Sequence, residues 1–169
     1  MHHAIHNIPP IYNTDSRILI LGSFPSVKSR EGQFFYHHPQ NRFWKVLAGV
    51  LDAPTPGTIE EKREFLLSHG IAVWDVIASC EITGSSDSSI KNAIPNDVRM
   101  ILNLAKIQAI FCNGQTAYKL YRKYLEPLTG RTATVLPSTS PANAAWSLER
   151  LTETWKSAIQ ESLQEKTKL

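Results

Sequence analysis

Four short apolar runs, each closed by turn residues and parted from the next by helical periodicity, leave this chain few architectures. The first, Arg17-Ile18-Leu19-Ile20-Leu21, stops at Gly22; the others cover residues 71–77, 107–112 and 132–136. Two helical segments separate the first pair of runs. In one, Phe43, Trp44, Val46, Leu47, Val50 and Leu51 mark an apolar face after Asn41, and Asp52-Ala53-Pro54 ends it. In the other, Thr58 is the cap, Glu60 and Glu61 sit in the first turn where the helix dipole favours them, and His69-Gly70 is the stop. Further helices are expected from Asn96 to near Ala105, from Asn113-Gly114 through Leu125, and along the stripe Leu148, Leu151, Trp155, Ile159 and Leu163. The closing Glu-Lys-Thr-Lys tail is expected to fray.

Strands that alternate with helices form a mainly parallel sheet covered on both faces. The expected fold class is therefore α/β, a three-layer αβα sandwich around a four-stranded sheet. Such connections bring the carboxyl ends of the strands to one edge, where these folds place their ligands. Residues 22–25, Asp75, Asn113 and 137–143 all follow or end a strand and should meet there. Residues 23–38, with Pro25 and Gly32, lack periodicity and read as a long loop; loops of that length in compact proteins tend to be functional. A chain of 169 residues suits one domain, residues 1–169, with no repeat or linker. No apolar run approaches the roughly 20 residues of a membrane helix, and the N-terminus lacks a signal-peptide pattern. A cytoplasmic monomer with no membrane partner is expected.

The two cysteines, Cys80 and Cys112, lie far apart and outside any CxxC pair, so they read as buried core thiols. Structural zinc is not expected, and a four-cysteine iron–sulfur cluster is impossible within one chain. Neither metal nor cofactor is called for. A net charge of +3 with pI near 8.9 permits a nucleic-acid partner without demanding one. Contacts to a polyanion must then come from a local patch and from backbone N–H groups.

One block is far more specific. Leu21-Gly22-Ser23-Phe24-Pro25, followed by Phe35-Tyr36-His37-His38-Pro39-Gln40-Asn41-Arg42-Phe43-Trp44, resembles the first motif of the uracil-DNA glycosylase superfamily. The mismatch-specific branch carries Gly-x-Asn-Pro-Gly there and then, after an aromatic residue, His-Pro-x-Asn-Arg-Phe-Trp. The resemblance implies a uracil-DNA glycosylase-like fold and a DNA partner containing deaminated bases. It implies hydrolysis of the N-glycosidic bond of a flipped base, the first step of base excision repair, with no cofactor.

Phe24 is a departure, because relatives place the catalytic Asn or Asp at that position and phenylalanine cannot orient water. In the branch that removes hypoxanthine (deoxyinosine) the first motif likewise lacks that residue, and an Asn of the second block takes the role. The resemblance thus assigns catalysis to Asn41, whose plainer reading is a helix N-cap. Tyr36 falls where relatives stack an aromatic ring on the extruded base, with Phe35 as the alternative; both also read as core aromatics. Ser23 and Phe24 complete the expected base-binding group. Gly70-Ile71-Ala72-Val73-Trp74-Asp75 resembles the strand whose terminal Asn reads uracil. Asp75 is the corresponding base reader, able to accept the N1–H of hypoxanthine; its plainer reading is a strand-end cap.

Pro137-Ser138-Thr139-Ser140-Pro141-Ala142-Asn143 resembles the second superfamily motif. Leu136 stands where a His or Asn would stabilise a departing pyrimidine anion, and its loss fits a purine protonated at N7. Expected DNA contacts are Gly22, Pro25, Ser138, Thr139, Ser140, Pro141 and Asn143, with Pro141 partly replacing the wedge residue of relatives. Lys28, Arg30 and Arg42 flank the first loop as candidate phosphate contacts. His37 and His38 read as loop-structuring, while His2, His3 and His6 fall on a terminus expected to be mobile. Alternatives within and outside the class are a uracil or mismatch-specific DNA glycosylase, a catalytically inactive lesion-binding module, and a hydrolase of free nucleosides.

Overall fold

The computed structural model describes residues 2–164, so the tail expected to fray lies outside the described residues. The strands are β1 (His2–Ile5), β2 (Ile18–Gly22), β3 (Ile71–Asp75), β4 (Ile77–Ile82), β5 (Lys91–Pro95), β6 (Ala109–Asn113) and β7 (Thr134–Leu136). Four of them form a parallel sheet in the order β3-β2-β6-β7. Ile18, Leu19, Ile20 and Leu21 of β2 are wholly enclosed, the burial expected of a central strand covered on both faces. The register pairs Gly22 with Asp75, so the two carboxyl ends finish side by side. Ile11 exchanges both backbone hydrogen bonds with Val73, at 3.0 and 2.9 Å, and so closes the β3 edge.

The helices are α1 (Val27–Gly32), α2 (Phe43–Val50), α3 (Ile59–Ser68), α4 (Arg99–Leu104), α5 (Gln115–Leu120), α6 (Glu126–Thr129) and α7 (Leu148–Gln164), with a π-helical turn at Tyr121–Leu125. The expected α/β architecture is present: α2 packs on α7, α3 on β3, and α5 on β6 and β7. Thr58 caps α3 in a reciprocal box with Glu61. Leu151, Trp155 and Ile159 of the α7 stripe are fully buried, whereas Leu148 is 40% exposed. No helix among the described residues is long and apolar enough to cross a membrane.

Four expectations need correction. The run at residues 71–77 is two strands, not one. After Asp75 the chain leaves the parallel sheet, because Val76 and Ile77 donate to the Gly22 and Ser23 carbonyls beyond the end of β2. Asn96, read as the start of a helix, instead donates to the Asp75 and Ile77 carbonyls at 2.9 and 3.2 Å and holds that break; α4 begins only at Arg99. The freed strand β4 pairs antiparallel with β1 and β5 in a second, three-stranded sheet, so the N-terminus expected to be mobile is a strand. Finally, the long loop contains α1, capped by Ser26 and closed by Gln33 in the left-handed conformation. Gly32 tolerates its helical place because a methyl there would overlap the His37 ring.

Candidate active site

The strand ends meet as the alternation required. A cavity of about 330 Å³ opens between the β2 end (Gly22, Ser23, Phe24), the β3 end (Asp75), the β6 end (Asn113) and the loop after β7. Asn41, Tyr36 and Phe35 supply the wall ahead of α2. Among the described residues, the charged groups of the lining are the carboxylates of Asp75 and Asp87, and neither lysine nor arginine lines it. Asp87 reaches solvent, yet the surrounding wall raises its carboxyl above the ordinary value and the Asp75 charge adds to this.

Asn41 is oriented by a directed chain of hydrogen bonds. The Thr139 backbone N–H donates to Asn113 Oδ1 at 3.1 Å, which fixes the Asn113 amide with its nitrogen towards Thr139. That nitrogen donates to Thr139 Oγ1 at 3.0 Å, so the single hydroxyl proton is left for Asn41 Oδ1, 2.8 Å away. Asn41 Oδ1 also accepts the Phe43 N–H at 3.0 Å. Both acceptor positions of the Asn41 carbonyl are therefore filled. Among the described residues its NH₂ has no hydrogen-bond acceptor, and the group it offers the cavity is a donor. The capping and pocket readings of Asn41 are thus not alternatives, since one side chain starts α2 and faces the cavity.

Asp75 is held just as firmly. His6 Nδ1 accepts the Ile8 N–H at 3.2 Å, so the neutral ring carries its proton on Nε2 and donates it to Asp75 Oδ2 at 2.8 Å. The two side chains are 3% and 5% exposed. Oδ1 faces Gly22, where a methyl group would overlap it and lie 3.0 Å from the Tyr36 hydroxyl. A side chain at position 22 would close the cavity floor, which is why glycine is needed there. Tyr36 adopts φ +50°, an unusual conformation for a bulky residue, and stacks on Phe43 with ring centroids 3.9 Å apart. Its hydroxyl is enclosed, with no hydrogen-bond partner among the described residues. Burial first, then the Asp75 charge, pushes that phenol far above its ordinary value, so it stays a neutral donor.

The other expected site residues divide. Phe35, at 2% exposure, borders the cavity but is committed to packing against His6 and Phe34, whereas Tyr36 keeps part of its surface open. Ser23 and Phe24 line the cavity, Phe24 lying edge-on to His6. Gly22 and Pro25, expected on the DNA surface, are buried in the cavity wall. Thr139, expected to contact DNA, is enclosed at 0% exposure, and its hydroxyl is used in both directions within the protein. Asn143 lies outside the cavity lining and donates to the Ser138 carbonyl, closing its own loop. Ser138 and Ser140 accept N–H groups two residues on and retain hydroxyl protons, and Pro141 stands exposed at the tip. Arg42 does not reach outward. Its guanidinium donates to the carbonyls of Ser140, Asn143 and Trp146 and ties this loop to α2, while Arg30 donates to Gly84. Lys28 remains exposed.

His6 was missed as a site residue, and no local signal marks it, since its partner lies 69 positions away. Among the described residues no cluster of three or more His, Cys, Asp or Glu side chains is placed to hold a metal ion.

Comparison with known proteins agrees with this geometry. Residues 9–164 match the family model described as the uracil DNA glycosylase superfamily. A protein of Methanosarcina acetivorans named hypoxanthine DNA glycosylase is 33% identical over 153 residues, 89% of this chain and 95% of the relative. A namesake from Methanosarcina barkeri is 29% identical over 137 residues, covering 80% and 85%. The solution NMR structure of a candidate uracil DNA glycosylase from M. acetivorans superposes with a TM-score of 0.78 at 32% identity, over 93% of this chain and 96% of that one. A cavity built at the strand ends by the Gly22 turn, Asn41 and the loop after β7 is thus found on a chain that belongs to the uracil DNA glycosylase superfamily.

Proposed function

We propose that this protein is a hypoxanthine DNA glycosylase, a monofunctional hydrolase that cuts the N-glycosidic bond of deoxyinosine in DNA and leaves an abasic site. The observation that carries this reading is the cavity pairing of an oriented donor, Asn41, with an acceptor, Asp75, above a glycine floor. It is supported by relatives bearing that name over most of the chain.

The deaminated base leaves the helix stack and enters the cavity, where Tyr36 offers a partly open aromatic surface already backed by Phe43. Asp75 Oδ1 accepts the base N1–H. The half-buried Ser138 and Ser140 and the exposed Pro141 meet the DNA backbone, the two hydroxyls donating to phosphate. Bond cleavage builds positive charge on the sugar. A lining with two carboxylates and no lysine or arginine favours that charge without reorganising during the reaction.

Asn41 has no free acceptor, so it does not remove a proton from water. It donates to the water oxygen through one lone pair and leaves the other aimed at the anomeric carbon. The departing base keeps the electron pair of the broken C–N bond and takes up the proton that water loses, so the contribution of Asn41 is placement. The absence of a donor at Leu136, which is buried, leaves no group there to hold a pyrimidine anion and favours a purine substrate.

The test is single-turnover cleavage of oligonucleotides carrying one deoxyinosine or one deoxyuridine, with wild type and Asn41→Ala. Abasic product from deoxyinosine, lost in the variant, is expected. Product from deoxyuridine alone transfers the protein to uracil excision. Binding without product from either substrate makes it a lesion-binding module.

A further inference from the structure

We infer that His6 is a positioning residue for base choice, holding Asp75 as an acceptor-only reader so that the cavity takes a deaminated purine and refuses its amino parent. This rests on the reading of Asp75 given above and extends it to a residue from the opposite end of the chain. His6 follows β1, in the second sheet, and reaches the parallel sheet at the end of β3, through this bond to Asp75 and the packing of its ring on Trp74. Its ring is boxed by Phe24, Phe35 and Trp74, with centroids 6.0 to 6.3 Å away, and the Ile8 N–H occupies Nδ1. The imidazole can neither turn nor take a second proton without breaking that backbone contact. Nε2–H is therefore a fixed donor aimed at Oδ2, and Oδ1 is the oxygen left to face the cavity.

The chemistry of the two purines makes this arrangement selective. Hypoxanthine presents N1–H beside O6. Adenine presents a bare N1 lone pair beside an amino group. An ionised carboxylate accepts the first and repels the second. A carboxylic acid protonated on that oxygen inverts the preference, since its O–H donates to adenine N1. Discrimination between the deaminated base and the undamaged one thus requires Asp75 to stay ionised with Oδ1 turned inward. The other titratable groups facing it are the Tyr36 hydroxyl and the Asp87 carboxylate, both of which are raised by burial and then by the Asp75 charge. The His6 N–H occupies Oδ2, so a proton cannot sit on that oxygen towards His6, and Oδ1 is kept as the oxygen that reads the base. A site that hydrogen-bonds one pattern rejects the opposite pattern strongly, because the mismatch strands a buried polar group.

The experiment compares full-length wild type, His6→Gln, His6→Phe, His6→Asn and Asp75→Asn. Each is assayed in single turnover on oligonucleotides with one deoxyinosine or one deoxyadenosine, alongside a urea melt. Gln can place an amide N–H near Nε2, Phe keeps the ring in its box without the donor, and Asn is too short to reach Asp75. His6→Phe and His6→Asn are expected to slow deoxyinosine excision about 10- to 100-fold, the value of one hydrogen bond to a charged group. They should also narrow the deoxyinosine-to-deoxyadenosine ratio, and His6→Gln should recover most of both. An equal loss in all three His6 variants, or a loss with the ratio unchanged, assigns His6 to packing and overturns the inference. Should the Phe variant not fold, the contrast between Gln and Asn decides the matter by the same criteria. If Asp75→Asn leaves deoxyinosine excision intact, the reading of Asp75 fails first. If wild type makes no abasic product, the glycosylase reading fails, and if only the His6 variants behave as wild type, this inference fails alone.

Discussion

Replacing Thr139 by valine removes one hydroxyl and keeps the shape, which isolates the chain Asn113–Thr139–Asn41. The hydroxyl accepts at 3.0 Å and donates at 2.8 Å from a fully buried position, so the substitution deletes two hydrogen bonds at once. Deleting one partner of a buried pair costs about 1–3 kcal/mol when the other is stranded, and less when water can replace it. Asn41 and Asn113 both border the cavity and keep some solvent access, and each retains a backbone bond to its Oδ1. The two losses together should therefore destabilise the fold by roughly 1–3 kcal/mol, with about 2–4 °C of melting temperature lost per kcal/mol. The Asn41 amide then keeps one anchor of two, and its NH₂ no longer points in a single direction. A loss of about 1.4–2.7 kcal/mol in transition-state placement is about 10- to 100-fold in the single-turnover rate on deoxyinosine. Thr139→Ser retains the hydroxyl and should restore the rate. A Thr139→Val protein that melts lower but cleaves as fast as wild type would refute the claim that Asn41 acts by placement.

Three further outcomes follow from single contacts. Gly22→Ala puts a methyl into Asp75 Oδ1 and against the Tyr36 hydroxyl, so excision should fall to background in a chain whose circular dichroism remains native. Thr58→Ala removes the α3 cap and should cost about 1 kcal/mol in a urea melt with no change in excision, since α3 lies away from the cavity. Cys112 is buried on β6 and desolvation lifts its thiol to about 12. Its thiolate fraction is negligible in the native state, and a disulfide reagent should modify it at neutral pH only as fast as the protein unfolds.

Local sequence carried much of the frame. Ile18 to Leu21 is an uninterrupted apolar run because β2 is covered on both faces, and that pattern survives without knowledge of its neighbours. The caps at Thr58 and the Gly70 stop act within a few residues of themselves and were equally legible. Where reading failed, the deciding contact was distant. β5, Lys-Asn-Ala-Ile-Pro, has poor strand propensity and exists through pairing with β4. Thr139 looked like a surface contact because its motif is polar, yet its partners Asn113 and Asn41 draw it inward. Arg42 carries a charge suited to phosphate, but three loop carbonyls claim it.

By itself the amino-acid order determined the α/β layering, the gathering of Gly22, Asp75, Asn113 and residues 137–143 at one edge, and the superfamily motif. Those depend on periodicity and on strand direction, both of which are written locally. Tertiary structure alone decided that Asn41 offers a donor and that Asp75 is gripped by a histidine from the N-terminal strand. The orientation of an amide or carboxylate is set by which groups oppose it in space, and those groups come from positions 69 and 98 residues away.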